Sequence, residues 1–534
     1  MKELIWHRQL LPAISRHAAK PFLTDTATGT TTSYAEHGTR VLKLANAMRT
    51  ELGLAREDRF ALLSLNSGPF EELYHAGFLG GGVVNPLNLR FAPREMTHVL
   101  SDSATKVVFV DAAFAPVIDS IRAAAGITQV VLLGTGDVPH DVSYEDLLAA
   151  GKEDVPAEPD EDDPAILMYT GGTTGLPKGV LLTQRALMLT LYHIGMTVKV
   201  DPDDVYLAQV PMFHAASMGA IVGVPTSGGR LVTVPFFDPP AVLDTIEQHA
   251  CTNTIMVPTM LAMTFAHPAY TPQRMRSLQK MTYGASPMPR PILDRLRAEQ
   301  PQLELYQGYG MTESAALVSV LLPEDHLRED KLASAGRPVA GTVVTIQDPT
   351  GTPLPAGEVG EVCVRGGQFM SEYWRRPEET AEAFRDGWYH SGDAGYLDDE
   401  GFLYLVDRTK DMIVSGGENV YSTEVEQALA SHPAVAQVAV IGIPDQVWGE
   451  AVHAVVVLKA GMTATEDDLK AWCRERIAGF KIPKSIEFRT TPLPLSGAMK
   501  VLKRELRAPY WEGKERGVQW PCGRARGSGQ GSAA

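Results

Sequence analysis

The run Thr170-Gly-Gly-Thr-Thr-Gly-Leu-Pro-Lys178 gathers the groups that hold an anionic ligand. Gly171, Gly172 and Gly175 let the backbone bend and bring its N–H groups close to anionic oxygens. Thr170, Thr173 and Thr174 add hydroxyl donors, and Lys178 adds a charge. A surface turn of the same composition has no need of this order. The apolar run Ala165 to Met168 reads as a buried strand, so the loop sits at a strand's end. The frame is not the nucleotide loop that ends Gly-Lys-Ser/Thr, because Lys178 follows Pro177 and precedes Gly179.

Other stretches carry complementary chemistry. Tyr306-Gln-Gly-Tyr-Gly-Met-Thr-Glu-Ser314 reads alone as a strand-to-helix turn with Thr312 or Ser314 as a cap. Beside a phosphate clasp, Tyr309 can stack on a purine, Thr312 can donate to a phosphate and Glu313 can hold Mg²⁺, a hard cation that prefers oxygen ligands. Gly284 and Ala285, within Tyr283-Gly-Ala-Ser-Pro287, can form the opposite wall of a base slot. In Tyr389-His-Ser-Gly-Asp393 the carboxylate follows a glycine turn, suited to a ribose diol, although turn aspartates are common. Asp407-Arg-Thr-Lys-Asp411 reads as a charged linker leading through Gly416 and Gly417 into a helix.

In this order, over essentially residues 20 to 510, these motifs resemble the adenylate-forming superfamily of acyl-CoA synthetases, luciferases and peptide-synthetase adenylation domains, most closely the fatty-acyl-CoA synthetases. The resemblance implies a two-step ligase: a carboxylate and ATP give acyl-AMP and pyrophosphate, then coenzyme A displaces AMP. It implies that Thr170 to Lys178 hold the pyrophosphate end of ATP, that Gly284, Ala285, Gln307, Gly308 and Tyr309 hold the adenine, and that Asp393 and Arg408 hold the ribose. Thr312 would contact the α-phosphate and Glu313 the Mg²⁺. His214, a half-apolar imidazole among Ala, Ser and Met residues, reads as a gate of the acid pocket, with a satisfied core histidine as the alternative. Lys410 falls at a hinge. Ser415, Gly416, Gly417, Glu418, Trp448, Gly449 and Lys481 would line the CoA path. Lys500 would bridge carboxylate and α-phosphate during the first step only. One departure stands out, because Met499 occupies a position where glycine is usual, and a positive φ there would strain the backbone.

Medium- or long-chain fatty acids are the first expectation for the acid and aryl-propenoic acids the second. A luciferase-type oxygenase shares nearly every motif. A carrier-protein-loading domain for amino acids is disfavoured, because Phe213-His214 puts a neutral ring where an aspartate would meet the substrate's ammonium. A nucleotide sensor without catalysis would need a defective catalytic residue.

The elements that must position these groups follow from periodicity. Gly38 to Glu51 and Pro239 to His249 have helical spacing, whereas Arg59 to Leu65, Lys106 to Asp111, Val205 to Val210, Arg230 to Val234 and Thr254 to Met256 read as strands. Asp137 to Asp163 reads as a solvated connection. Gly336 to Tyr404 is rich in Gly, Pro and short alternating strands, a β-rich subdomain. Beyond it Ser422 to Ser431 and Thr465 to Ala478 read as helices, and Val435 to Ile441 and Glu450 to Leu458 as strands. The expected class is therefore α/β with a β-rich subdomain, arranged as a large N-terminal domain (1–406), a small mobile α+β domain (407–515) and a disordered tail (516–534).

The net charge of −16, from 48 basic against 64 acidic residues, argues against a nucleic-acid partner. Cys251, Cys363, Cys473 and Cys522 are too scattered for a zinc site or disulfide framework, and no stretch is long and apolar enough to span a membrane. A cytoplasmic protein is expected, with ATP, Mg²⁺, CoA and a small carboxylic acid as ligands; a homodimer is compatible with the sequence.

Overall fold

The computed structural model describes residues 3–170, 176–286, 288–408, 411–415, 418–497 and 499–512, with the Arg408 side chain left out. Gly171, Gly172, Thr173, Thr174, Gly175, Lys410, Gly416, Gly417 and the tail from 513 lie outside the described residues. The chain divides into two compact units. The first takes in Met1–Thr342, Gly366–Glu382 and Leu495–Lys500, and the second Val343–Arg365, Ala383–Pro494 and Val501–Ala534.

Two sheets carry the first unit. One has a parallel centre in the order Glu304–Tyr309, Lys280–Gly284, Asn253–Ile255, Val205–Ala208, Arg230–Thr233, Pro21–Asp25, with antiparallel strands at both edges. The other runs Glu372–Tyr373, Lys178–Thr183, Pro164–Thr170, Val83–Pro86, Arg59–Leu63, Val107–Asp111, Gln129–Leu133, Val142–Ser143. Helices return the chain between the parallel strands, as an α/β layering requires. The helix Tyr34–Thr50 shows why they form: Ser33 and Glu36 close a capping box, and Val41, Leu44, Ala45 and Met48 fall on one buried face. Burying each large apolar side chain contributes about 1.5–3 kcal/mol.

The second unit holds two smaller sheets. In one, Gly360–Arg365 lies between Val343–Gln347 and Trp388–Leu397, which also pairs with Phe384–Arg385 and Leu403–Arg408. In the other, Gly449–Leu458 pairs with Val435–Asp445, Ile413–Ser415 and Ser485–Arg489, under the helices Ser422–Ala430 and Glu466–Arg474. The chain has the expected α/β class with a β-rich segment.

The connection expected over Asp137 to Asp163 is not wholly solvated. Ser143 caps a helix, Tyr144–Ala150, whose Tyr144, Leu147 and Leu148 are buried at helical spacing. The acidic residues around it hide that three-residue stripe. A last helix runs from Lys503 to Trp511. Among the described residues no helix is long and apolar enough to cross a membrane, and Cys251, Cys363 and Cys473 are buried free thiols.

Candidate active site

The run expected to hold phosphate is flanked by two antiparallel strands, Pro164–Thr170 and Lys178–Thr183, and Thr170 faces Lys178 in register. The hairpin thus presents its first hydroxyl and its only lysine side by side at the mouth of the loop. The Lys178 ammonium is 2.6 Å from Glu379 and stands 4.7 Å above the Tyr373 ring. The Tyr373 hydroxyl donates to Glu313 at 2.8 Å, and the Met370 N–H donates to the Glu313 carbonyl at 2.7 Å. Lys178 and Glu313, far apart in sequence, therefore share one tyrosine. At the strand's inner end, Tyr169 donates to Asp102 at 2.7 Å; burial first and this carboxylate second raise its phenol pKa.

The expected adenine residues also converge. Strands Lys280–Gly284 and Glu304–Tyr309 are parallel neighbours, with Tyr283 opposite Gln307 and Gly284 opposite Gly308. Their carboxyl ends make the kind of crevice where α/β sheets bind ligands. A Cβ on Gly284 would lie 2.1 Å from the Gly308 carbonyl oxygen, and one on Gly310 would lie 1.9 Å from that of Ala316, so both must be glycine. The chain then turns through Thr312–Ser314, and Ala315 and Ala316 hold positive φ of 49° and 106°. The Thr190 hydroxyl donates to the Ala315 carbonyl, pinning this strained return.

His214 caps the short turn Ala215–Ser217, its Nδ1 accepting the Ala216 N–H at 3.2 Å. Nδ1 is therefore unprotonated and the ring is the neutral Nε2–H tautomer. Burial first and the charge of Lys500 second push its pKa down to about 3. Asn66 brackets this segment, donating to the Val210 carbonyl at 3.0 Å and accepting the Met212 N–H at 2.8 Å.

The segment Leu495–Lys500 belongs to this unit. Arg90 donates to the carbonyls of Leu495 and Ser496 at 2.7 and 2.9 Å, and Thr259 donates to that of Met499 at 3.1 Å. Met499 has φ +60° and packs against the cluster of Val210, Val257 and Met260.

In the second unit Asp393 faces Arg408 in register, its N–H donating to Ser391 at 3.1 Å. Ser415 is the register partner of both Glu418 and Gly449. Trp448 is 46% exposed with the Lys484 ammonium above its ring, whereas Lys481 pairs with Glu424 at 2.7 Å beside the strand Glu418–Val420. Asp407, read as part of a charged linker, is buried, and Lys503 is half-buried beside it. Asp407 accepts the Ser422 N–H and hydroxyl, and Lys503 reaches Glu426 and Ser422, each at 2.7 Å. Burial lowers the Lys503 ammonium's pKa, but the carboxylates of Glu426, Asp407 and Asp411 outweigh it and raise the pKa overall.

Two groupings suit a cation. Glu361, Cys363 and His390 bring three ligand atoms together, but the Arg385 guanidinium lies 2.7 Å from His390 Nδ1 and 3.4 Å from Glu361, so a protein cation already holds that position. Glu313 with the neighbouring Thr312 offers hard oxygens beside the phosphate hairpin, which fits Mg²⁺.

Sequence reasoning missed Tyr373, Glu379, Arg90 and Thr259. Glu379 lies in the acidic first turn of the helix Pro377–Ala383, where a carboxylate is ordinary, so nothing local marks it.

Residues 12–374 match the AMP-binding enzyme family and residues 424–500 match the AMP-binding enzyme C-terminal domain. The chain is 41% identical over 484 residues to a feruloyl-CoA synthase of Amycolatopsis, spanning 90% of this chain and 94% of that protein. It is 37% identical over 479 residues to the long-chain-fatty-acid–CoA ligase FadD13 of Mycobacterium tuberculosis, spanning 90% and 93%. Among solved structures, the o-succinylbenzoate CoA synthetase of Bacillus subtilis with its acyl-adenylate intermediate superposes with TM-score 0.81 at 30% identity, covering 93% and 97% of the two chains. The phosphate hairpin, the paired strand ends and these matches together place the chain in the AMP-binding enzyme family, as an AMP-forming acid–CoA ligase that uses ATP and coenzyme A.

Proposed function

We propose that this ligase activates an aryl-propenoic acid of the feruloyl type, with medium- or long-chain fatty acids as the second reading. The single observation behind the first is the 41% identity to a feruloyl-CoA synthase; the second rests on the 37% identity to FadD13. The His214 ring agrees with either, since a neutral imidazole bonded to the Ala216 N–H suits an acid whose one charge is its carboxylate.

In the proposed first step a carboxylate oxygen attacks the α-phosphorus and pyrophosphate leaves. Lys178 and the hydroxyls of Thr170 to Thr174 hold the departing phosphates, Gly284, Ala285 and Gln307 to Tyr309 the base, and Asp393 with Arg408 the ribose. Thr312 and Lys500 meet the α-phosphate. Mg²⁺ held by Glu313 would supply positive charge where two anions must approach. His214 shapes the acid's entry. In the second step the CoA sulfur attacks the acyl carbon and AMP leaves, with Ser415 to Glu418, Trp448, Gly449 and Lys481 along the thiol's path. Residues 407–515, hinged near Lys410, would serve this second step.

A pyrophosphate-release screen over cinnamic acids and straight-chain acids of graded length, with the acyl-CoA products identified, tests the substrate. Turnover confined to straight-chain acids would replace the first reading by the second.

A further inference from the structure

The segment that carries Lys500 is held by side chains that no motif marks. Arg90 donates from one nitrogen to the carbonyls of both Leu495 and Ser496, and its other terminal nitrogen lies 3.7 Å from the Met499 sulfur. On the far side of the turn the Thr259 hydroxyl takes the Met499 carbonyl at 3.1 Å. The turn closes on itself through Ser496, whose N–H donates to the Lys500 carbonyl at 2.7 Å and whose hydroxyl accepts the Lys500 N–H at 3.1 Å. Gly497 presses on the Arg90 turn, where a Cβ would come within 2.5 Å of Asn88 Oδ1, the atom that accepts the Arg90 N–H.

We infer that Arg90, with Thr259 opposite, is the positioning residue that seats Lys500 for acyl-AMP formation. The inference rests on the role given to Lys500 above. Arg90 is exposed and carries none of the surrounding core, so its task is confined to the segment it grips. One Arg90 nitrogen donates to both carbonyls while the rigid plane holds its second terminal nitrogen beside the Met499 sulfur, an arrangement a lysine ammonium, a single point charge, lacks. The Lys500 ammonium is already close enough to His214 to act on that ring's pKa, so a seat that slips displaces the charge from the acid carboxylate. CoA attack on a finished acyl-AMP has no use for that seat.

The test measures both half-reactions separately, as pyrophosphate release in a single turnover without CoA and as conversion of supplied acyl-AMP to acyl-CoA. Arg90→Ala should slow the first about tenfold and leave the second within about twofold, the size expected for losing two charge-assisted hydrogen bonds at an exposed site. Arg90→Lys should recover part of the loss. Thr259→Val, which keeps the side chain's shape, should slow the first step by a smaller factor. Equal loss in both half-reactions, or no loss in the first, would overturn the inference. Lys500→Ala is the control: if it abolishes acyl-AMP formation while Arg90→Ala does nothing, only the role of Arg90 falls. If Lys500→Ala itself leaves acyl-AMP formation intact, the reading of Lys500 falls and takes the inference with it.

Discussion

The hydroxyl of Tyr373 donates to the carboxylate of Glu313 at 2.8 Å, and the same ring lies under the Lys178 ammonium. One aromatic side chain thereby ties the carboxylate expected to hold Mg²⁺ to the lysine expected to hold phosphate.

That tie makes Glu313 testable by charge alone. Glu313→Gln keeps the shape and can still accept from Tyr373, but it offers Mg²⁺ a neutral ligand. We expect the Mg²⁺ concentration for half-maximal activity to rise about tenfold or more, with a smaller loss at saturating Mg²⁺. Unchanged activity at limiting Mg²⁺ would remove Glu313 from the metal.

Lys178 should serve ATP and not the acid. Its pair with Glu379 is about one-third exposed on both sides, so it adds little to stability, and Lys178→Ala should leave the fold intact. The expected outcome is a kcat/KM for ATP lowered about ten- to a hundredfold, with the acid's KM near wild type. A loss carried by the acid's KM would reassign the residue.

Much of this arrangement was legible in the sequence. Glycine and threonine spacing marked the loop at the end of the strand Ala165 to Met168, and apolar runs marked strands such as Arg59–Leu63 and Val205–Ala208, because strand and turn are local properties. The links between elements were not legible. Tyr373 meets Glu313 across 60 residues and Arg90 meets Leu495 across 405, and no periodicity reports such pairs. Asp407 was misread for the same reason: the linker reads as solvated until Ser422 and Lys503 are brought against its carboxylate. Likewise the acidic surroundings of Tyr144–Ala150 masked a helix too short for its stripe to stand out.

His214 yields a pH prediction with a definite sign. In the unfolded chain its pKa is near the usual ~6.5, and in the fold it is about 3. Between those values the unfolded state binds the extra proton, so stability is complete above pH 6.5 and is lost as pH falls toward 3. His7, His37, His193 and His326 are also lowered, by burial first, and act in the same direction. Urea unfolding at pH 7.5, 6 and 5 should show stability falling with pH, and His214→Ala should fall less steeply, narrowing its gap to wild type by about 1–2 kcal/mol between pH 6.5 and 5. The same neutral ring means that His214→Ala should lower acyl-CoA synthesis without changing the shape of the pH–rate profile between 5.5 and 8. Parallel stability curves for the two proteins would show that the imidazole titrates normally.

Met499 combines a cost with a gain. Its φ of +60° lies in the left-handed region, which costs a non-glycine residue about 1–2 kcal/mol. Its side chain, half-buried against the cluster of Val210, Val257 and Met260, recovers about 0.8–1.5 kcal/mol, half of what full burial would give. The two nearly cancel, so the residue that replaces the usual glycine need not slow acyl-AMP formation by the roughly five- to thirtyfold that strain alone would impose. Two substitutions separate the effects. Met499→Gly removes strain and packing together and should change the rate of acyl-AMP formation by less than about fivefold. Met499→Ala keeps the strain and loses most of the packing, so it should be slower than wild type by about five- to tenfold, at roughly 1 kcal/mol per factor of five. Conversion of supplied acyl-AMP to acyl-CoA should be unchanged in both. If Met499→Ala matches wild type, the side chain contributes nothing to seating Lys500. If Met499→Gly is faster by tenfold or more, the strain is uncompensated and the departure from glycine limits the first step.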